Sequence, residues 1–388
     1  MTTPDMENVI IATVLSFVIT YFSVPILIKV ADLKHLYDEP DERKAHKHRI
    51  PALGGVGFFS GFLISIAMCI PTQSSSPLQY FMAAYFIIFM VGLKDDLVGL
   101  SPLKKVIGQM VAAFAIIYLG NLQINSAFGF FGIQELPAHL SSLLTYFTVL
   151  VIINAFNLID GVDGQAGSIG MLVSAILGAY FLHSGEMVYA VMGFSLAAGL
   201  AGFLIYNISP AKIFMGDTGS LLIGTVNAIL IIKFIEVGGN PASKMPIESV
   251  PAVAFGILIV PLFDTLRVFS IRMMRGRSPF SADRNHIHHY LLALDMNHKQ
   301  TTMTTVLANA GFIVLVYALR GLGTTQLLAF EMVLATGLTY SLYLLKRKRA
   351  EKMVRLAEEA AAAAAEVQHV SNKAKILRVT NDGILENK

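Results

Sequence analysis

The stretch LSSLLTYFTVLVIINAFNLIDGVDG, residues 140–164, joins a long apolar run to a short acidic segment. Residues 140–159 carry no charged side chain, and about 20 such residues in a helix cross a lipid bilayer. Asp160 and Asp163 follow among glycines. Apolar runs of the same kind recur at 9–28, 79–93, 188–207, 250–263 and 304–319. This pattern predicts an all-α, polytopic membrane protein.

The composition agrees with a membrane protein. The 388 residues are 55% hydrophobic and 14% charged, whereas a soluble domain carries about 25% charged residues. The single cysteine, Cys69, excludes an intramolecular disulfide. The segment MTTPDMEN at the N-terminus lacks the positive charge of a secretory signal, so we expect the first apolar run to be retained as a helix.

Hydropathy and turn signals predict about eleven transmembrane helices. Their approximate ranges are 9–30, 53–71, 79–94, 104–121, 139–157, 168–184, 188–207, 218–236, 250–270, 304–321 and 326–345. The chain then divides into a transmembrane domain, 1–345, and a polar C-terminal tail, 346–388. The tail is rich in alanine, glutamate and lysine, which favours a helix, and its KRKR start is expected near anionic headgroups. We assign it no catalytic role.

The distribution of positive charge predicts the orientation in the membrane. With the N-terminus outside, the inner segments are 31–52, 95–103, 158–167, 208–217, 271–303 and the tail from 346. All but three of the 29 lysine and arginine residues then lie inside or at inner helix ends, the exceptions being Lys233, Lys244 and Arg320. The positive-inside rule therefore favours an outer N-terminus and an inner C-terminus.

Four polar motifs fall on this inner face. They are Asp95 and Asp96 after the third span, Asp160 and Asp163 after the fifth, Asp217 after the seventh, and His286, His288 and His289 after the ninth. Two crossings separate each motif from the next, so all four are expected at the same end of the helix bundle. The topology thus predicts one polar site built from distant segments.

Each motif also has a purely structural interpretation. The Asp95–Asp96 pair could cap a helix end, although adjacent like charges near a region of low dielectric constant call for a cation or a shared proton. Asp160 and Asp163 could be turn residues. Asp217 could be the N-cap of the next helix, a position that also attracts phosphate. The histidines could lie in a solvated loop, or they could donate hydrogen bonds to phosphate.

Basic residues accompany the acidic motifs. Arg49 lies in RKAHKHRIPALGG, Lys105 follows the aspartate pair, and Arg284 precedes the histidines. Carboxylates and cations together suit a Mg²⁺ ion and polyanionic substrates, because Mg²⁺ prefers oxygen ligands that include substrate phosphates. Zinc motifs such as CxxC or HExxH and the Walker loop of ATP-binding proteins do not occur in the sequence. Asp264 and Arg267, three residues apart, are expected to form a structural ion pair.

Five ordered motifs resemble the polyprenyl-phosphate N-acetylhexosamine-1-phosphate transferase family. They are DEPDERKAHKHRIPALGG, GLKDDLVGLSPLKK, NAFNLIDGVDG, YNISPAKIFMGDTGS and RGRSPFSADRNHIHH, within residues 38–295. The resemblance implies transfer of N-acetylglucosamine-1-phosphate from UDP-N-acetylglucosamine to undecaprenyl phosphate, with release of UMP. It also implies Mg²⁺ as cofactor, with Mn²⁺ as a second candidate, and makes 1–345 the catalytic domain.

The resemblance further implies roles for individual residues. Asp95, Asp96, Asp217 and His288 match catalytic positions, and Asp217 and Asp96 match the metal site. Asn207 and Phe214 match the nucleotide pocket, where the phenyl ring would stack on uracil. The remaining substrate-binding matches are Arg49, Lys105, Asn157, Asp160, Asp163, Arg284, His286 and His289.

The sequence HIHH in place of an uninterrupted triple histidine favours the N-acetylglucosamine branch over the phospho-N-acetylmuramoyl-pentapeptide transferases, which remain the alternative. A secondary transporter is less favoured, because it would place its charges near the midplane and show repeat symmetry. The expected setting is the bacterial plasma (inner) membrane, with the active site facing the cytoplasm. The expected role is the first step of a cell-envelope polysaccharide pathway of the O-antigen or teichoic acid type. The partners are the two substrates and the bilayer, with a homodimer suggested by the family and no nucleic acid.

Overall fold

The computed structural model describes residues 3–36, 50–70, 77–278 and 285–385. The helices are α1 (Thr3–Lys34), α2 (Gly54–Cys69), α3 (Leu78–Val98), α4 (Pro102–Phe114), α5 (Ala138–Ile159), α6 (Gln165–Ser184), α7 (Met187–Asn207), α8 (Gly216–Gly238), α9 (Val250–Ile257), α10 (Ile259–Met274), α11 (Ile287–Leu292), α12 (His298–Ala318) and α13 (Thr324–Leu385). A π-helical turn, Ala115–Leu119, extends α4, and a 3₁₀ turn, Arg320–Leu322, precedes α13. Two short strands, β1 (Ser126–Phe130) and β2 (Ile133–Glu135), form an antiparallel hairpin.

The prediction of an all-α membrane protein is confirmed, and each of the eleven predicted segments is helical. Within the described ranges, eight helices are long and apolar enough to cross a membrane, or nine if α9 and α10 form one bent span. Helix α2 has only 16 residues. Eleven crossings are therefore not established.

Helix α8 lies at the centre of the bundle and packs against α2, α3, α5 and α6. Its residues 218–232 are all buried, as expected of a helix surrounded on all sides. Helix α3 approaches it closely at Gly92, where a Cβ atom would lie 2.6 Å from the backbone nitrogen of Thr218. Small residues allow this kind of contact between membrane helices. The contact brings the end of α3 to the start of α8.

Helix α1 packs against α2 and α7 along a narrow stripe. Val9, Ala12 and Val24 in this stripe are buried, whereas Phe22 and Ile26 are exposed. In a membrane protein an exposed apolar helix face contacts lipid, so α1 lies at the periphery of the bundle.

The ninth predicted span is broken, because α9 and α10 meet at an angle of 86°. Pro261 in the first turn of α10 has no N–H to donate to the Ile257 carbonyl, four residues earlier. Asn309 of α12 compensates: its amide nitrogen donates to the Ile257 carbonyl (3.0 Å), and its oxygen accepts from the Val260 N–H (3.2 Å). The backbone groups left without a helical partner at the bend are therefore hydrogen-bonded to Asn309.

Helix α13 is continuous from the last predicted span through the polar tail. The β-hairpin contacts its first residues, since the Thr324 hydroxyl donates to the Phe128 carbonyl (2.8 Å) and the Phe131 N–H donates to the Thr325 hydroxyl (3.1 Å). The predicted helical character of the tail is confirmed.

Candidate active site

Lys105 links two of the predicted acidic residues. Its ammonium group lies 2.7 Å from Asp95 Oδ2 and also contacts the carboxylate of Asp217. The second oxygen of Asp95 accepts a hydrogen bond from the Leu100 N–H at 2.6 Å. The ends of α3, α4 and α8 therefore meet at one cluster of charges. The structure thus brings together residues more than one hundred positions apart, as the topology predicted.

Asp96 binds the N-terminus of α8. Its Oδ1 accepts from the Asp217 N–H (2.7 Å), and its Oδ2 accepts from the N–H (2.9 Å) and hydroxyl (2.5 Å) of Thr218. The first N–H groups of a helix have no partner within the helix, and a carboxylate there is stabilised by the helix dipole. Asp96 thus caps α8 from another helix. The N-cap role considered for Asp217 falls to Asp96 instead.

Asn157 holds the other side of Asp217. Its amide nitrogen donates to Asp217 Oδ1 (2.8 Å) and to the hydroxyl oxygen of Ser220 (3.0 Å). The Asp217 side chain is 26% exposed, so it stays partly open to solvent while its two oxygens are held by Lys105 and Asn157. A carboxylate fixed in this way can bind a cation without reorganising.

The segment 160–164 forms the turn between α5 and α6. Gly164 adopts a left-handed conformation (φ 76°), and its N–H donates to Asn207 Oδ1 at 2.9 Å. Asn207 also donates to the Ile213 carbonyl at 2.9 Å. Buried Asn207 therefore ties this turn to the segment that precedes α8. A direct contact between Asn207 and the nucleotide stays a prediction.

Asp160 and Asp163 differ in their surroundings. Burial raises the pKa of Asp160 to about 8, and the negative charges of Asp217, Asp96 and Asp163 act in the same direction. Asp163 instead forms an ion pair with His298 (Nδ1 to Oδ1, 3.2 Å), at the start of α12. The pKa of Asp160 therefore depends on the other carboxylates of the site, while Asp163 attaches the turn to α12.

The histidine motif is anchored to α10. The His286 Nδ1 atom lies 2.9 Å from Asp264 Oδ2, and the Ile287 N–H donates to Asp264 Oδ1 at 3.1 Å. Asp264 also pairs with Arg267 at 2.7 Å, which confirms the predicted ion pair. Its bond to His286 was not predicted, because spacing along one helix gives no information about a separate loop.

His288 lies at the contact between the histidine motif and the acidic turn. A Cβ atom at Gly161 would lie 2.7 Å from His288 Nε2, so glycine lets the imidazole approach the turn without a shift of its ring. The His288 side chain is buried, and its Nδ1 atom has no hydrogen-bond partner among the described residues. Burial lowers the pKa of His288 to about 3, and the neighbouring His289, with ring centroids 4.3 Å apart, acts in the same direction. His288 is therefore a neutral imidazole.

Three predicted substrate-binding residues are less defined by the structure. Arg49 and Arg284 lie outside the described residues. Phe214 is half-buried, and its backbone forms hydrogen bonds with Pro51 and Gly54 at 2.8 and 2.9 Å. The stacking of its ring on uracil stays a prediction.

The residues of the pocket fit a Mg²⁺ ion that is shared with a substrate. Among the described residues, no three histidine, cysteine or acidic side chains form a group that could hold a metal ion alone. Mg²⁺ in phosphate-transfer sites needs only one or two carboxylates, because water and phosphate supply the other ligands. Asp217 and Asp95 already share one cation, the Lys105 ammonium. Asp96 as a metal ligand stays a prediction, since both its oxygens bind α8.

Comparison with known proteins identifies the family. Residues 78–235 match the model of glycosyl transferase family 4. The chain is 30% identical over 287 residues to an undecaprenyl-phosphate alpha-N-acetylglucosaminyl 1-phosphate transferase of Yersinia pestis, covering 73% of this chain and 76% of the relative. It is 30% identical over 314 residues to a probable undecaprenyl-phosphate N-acetylglucosaminyl 1-phosphate transferase of Bacillus subtilis (79% and 83% covered). A decaprenyl-phosphate N-acetylglucosaminephosphotransferase of Mycobacterium leprae is 29% identical over 311 residues (74% and 77%).

The fold and the pocket define an integral membrane protein with an acidic, lysine-bridged site at one end of its helix bundle. The chain belongs to the polyprenyl-phosphate N-acetylhexosamine-1-phosphate transferases, within glycosyl transferase family 4, as the resemblance of its motifs predicted. These proteins are phosphoglycosyl transferases.

Proposed function

We propose that this protein transfers N-acetylglucosamine-1-phosphate from UDP-N-acetylglucosamine to undecaprenyl phosphate, with release of UMP. The observation that carries the proposal is the cluster in which Lys105 and Asn157 hold Asp217 beside Asp95. Two phosphate-bearing substrates repel each other, so their reaction needs fixed positive charge and a bound cation. The substrates are inferred from the names of the relatives, and the charges of the cluster suit a reaction between two phosphate groups.

In the proposed reaction, a phosphate oxygen of the lipid attacks the β-phosphorus of the nucleotide sugar. A new P–O bond forms, the bond from that phosphorus to the bridging oxygen breaks, and UMP leaves with the electron pair. Lys105 is placed to neutralise charge on the oxygens of the transition state. Mg²⁺, held by Asp217 and a neighbouring aspartate, would bind the diphosphate when present. Phosphate monoesters are largely ionised near neutral pH, so deprotonation contributes little.

Asp95 is therefore proposed to position Lys105 and the cation, not to act as a general base. Its two oxygens are occupied by Lys105 and by the Leu100 N–H. Neutral His288 has one ring N–H to donate, and we propose its contact to the substrate diphosphate from the family resemblance, since its Nδ1 atom is unpartnered among the described residues but buried. Asp160 is proposed to contact the sugar or nucleotide from the adjacent turn.

An apolar cavity supports a polyprenyl acceptor. Its volume is about 280 Å³, and it lies between α5, α8, the hairpin and the bent pair α9–α10. Leu262 and Leu266, four residues apart, line it on one face of α10. Ile231 and Ile235 of α8 also line it, about 20 Å along the helix from Asp217, so a polyprenyl chain in this cavity would have to extend along the bundle for its phosphate to reach the acidic cluster.

The cellular setting follows from the proposed donor and the charge distribution. UDP-sugars are cytoplasmic, so we place the active site at the cytoplasmic face of a bacterial plasma membrane. The N-terminus would then lie outside and the C-terminus inside. The lipid-linked product would start a cell-envelope polysaccharide of the O-antigen or teichoic acid type. A homodimer is proposed on the family resemblance alone.

A donor-specific assay tests the proposal. Purified protein and undecaprenyl phosphate are incubated with Mg²⁺ and labelled UDP-N-acetylglucosamine, UDP-N-acetylgalactosamine or UDP-N-acetylmuramoyl-pentapeptide, and lipid-linked label and UMP are measured. The isosteric variant Asp217→Asn is the matched control, and we expect its transfer to be abolished. Preference for the pentapeptide donor would move the protein to the other branch. Absence of transfer from all three donors would refute the proposed function.

A further inference from the structure

The polar extension of α13 touches the histidine motif, although the sequence suggested no role for it in the site. In KRKR, Lys346 and Arg349 are half-buried, whereas Arg347 and Lys348 are exposed. Residues three apart lie on one helix face, so the two half-buried cations form a single surface. This surface faces α11 and the loop after it.

Lys346 and Arg349 make specific contacts there. The Lys346 ammonium lies 4.6 Å from the centroid of the Tyr290 ring, a cation–π distance, and Tyr290 is 5% exposed. Arg349 donates to the Leu294 carbonyl at 3.1 Å and forms an ion pair with Asp295. The extension therefore holds both the helix of the histidine motif and the loop that ends it.

Tyr290 connects this surface to the site. The guanidinium of Arg267 lies 5.3 Å from the same ring, and its Nη1 lies 3.4 Å from the Tyr290 hydroxyl. Arg267 also pairs with Asp264, which binds His286. His288 follows His286 by two residues, and its ring lies against Gly161 in the turn that carries Asp160.

Helix α11 depends on such contacts for its orientation. It has six residues, far fewer than an isolated helix needs to be stable in water. Its N-cap position, His286, makes no side-chain capping bond among the described residues. Its direction is therefore set by the elements packed against it, chiefly α10, α12 and α13.

We propose that Lys346 and Arg349 at the start of the cytoplasmic C-terminal helix are positioning residues, which hold α11 through Tyr290 and Asp295 and thereby place His288 against the Gly161 turn. The proposal rests on the proposed function and adds a catalytic contribution of the C-terminal helix. The Asp295 pair is largely exposed and contributes little, so Lys346 and Tyr290 carry most of the effect.

The test compares two double variants of the full-length protein that remove equal charge. We expect Lys346→Ala/Arg349→Ala to lower kcat about ten-fold, the order of one partly buried cation–π contact, with little change in KM for the nucleotide sugar. The control Arg347→Ala/Lys348→Ala removes the exposed cations and should retain the wild-type rate. Lys346→Arg with Arg349 intact keeps the cation over the ring and should also remain active. Equal losses in both double variants would indicate attraction to anionic lipid and would overturn the proposal.

Two further measurements separate positioning from general stability. In a His288→Ala background the Lys346/Arg349 substitutions should cause no further loss, because the effect passes through His288; additive losses would contradict this. Hydrogen exchange needs no activity, and the amides of α11 should exchange faster in the Lys346/Arg349 variant only. Unchanged exchange would overturn the proposal even if the protein transferred a different sugar. Wild-type protein could make no lipid-linked sugar while the α11 amides still exchange faster in the Lys346/Arg349 variant. The proposed function would then fail, and the role of Lys346 and Arg349 in positioning α11 would stand.

Discussion

Replacing Lys105 by glutamine removes the cation that contacts both Asp95 and Asp217. The Lys105 ammonium touches both carboxylates, and both are less than one-third exposed. At an effective dielectric constant of about 20, two neighbouring carboxylates repel by roughly 3 kcal/mol. If this repulsion is carried into the transition state, the rate should fall about 100-fold, because each 1.4 kcal/mol is a factor of ten.

Lys105→Gln should also change the concentration of Mg²⁺ that the enzyme needs. If Asp95 and Asp217 hold Mg²⁺ as proposed, the Lys105 ammonium competes with it for the same carboxylates, so its removal should lower the Mg²⁺ concentration needed for half-maximal rate. Rates are measured with labelled UDP-N-acetylglucosamine across a Mg²⁺ titration, and chelation should stop transfer in every variant. Lys104→Gln, which removes an exposed neighbouring charge, is the control. A Lys105→Gln rate within about three-fold of wild type would refute the neutralising role, and a raised Mg²⁺ demand would refute the overlap of the two cations.

Three other substitutions test the framework of the site. Asp264→Asn leaves Arg267 and His286 without their counter-charge. The free energy of unfolding should fall by about 3 kcal/mol, and kcat should fall as well. Gly92→Ala places a Cβ atom 2.6 Å from the Thr218 backbone nitrogen and should reduce activity more than Gly337→Ala, which meets no atom within 4 Å. The pKa of His288 is lowered to about 3, so from pH 6.5 toward pH 3 only the unfolded chain binds a proton there. Stability should therefore fall with falling pH in this window, and less so in His288→Asn; an equal fall in thermal midpoint would contradict the neutral imidazole.

The helical segments were predictable because each apolar run is long enough to be recognised by itself. The common location of the motifs was also predictable, since it depends on the parity of crossings and not on precise boundaries. The bend at α9–α10 was not. Pro261 is visible in the sequence, but the bend also needs Asn309, which satisfies the backbone groups from a helix that follows much later.

The pairing within the site was beyond sequence reasoning for a related reason. The family resemblance matched Asp163 and Asn207 to substrate-binding positions, which stays a prediction, and the structure adds that these residues are joined to His298 and to backbone groups. Such contacts depend on the rotation and depth of packed helices, which hydropathy does not report. His298 lies in the polar segment HKQTT before the predicted span 304–321, and nothing in that segment indicated its partner.

The adjacent pair Asp95–Asp96 shows how a structural and a chemical role can share one motif. Successive residues on a helix point about 100° apart, so the two carboxylates of this pair face different neighbours. Asp96 turns to the first N–H groups of α8, while Asp95 turns to Lys105. Because Asp96 caps α8, the Asp217 side chain is not consumed as the cap of its own helix and can face the pocket. The capping and catalytic interpretations of these residues are therefore complementary, since the cap supplied by Asp96 is what leaves Asp217 available for a cation.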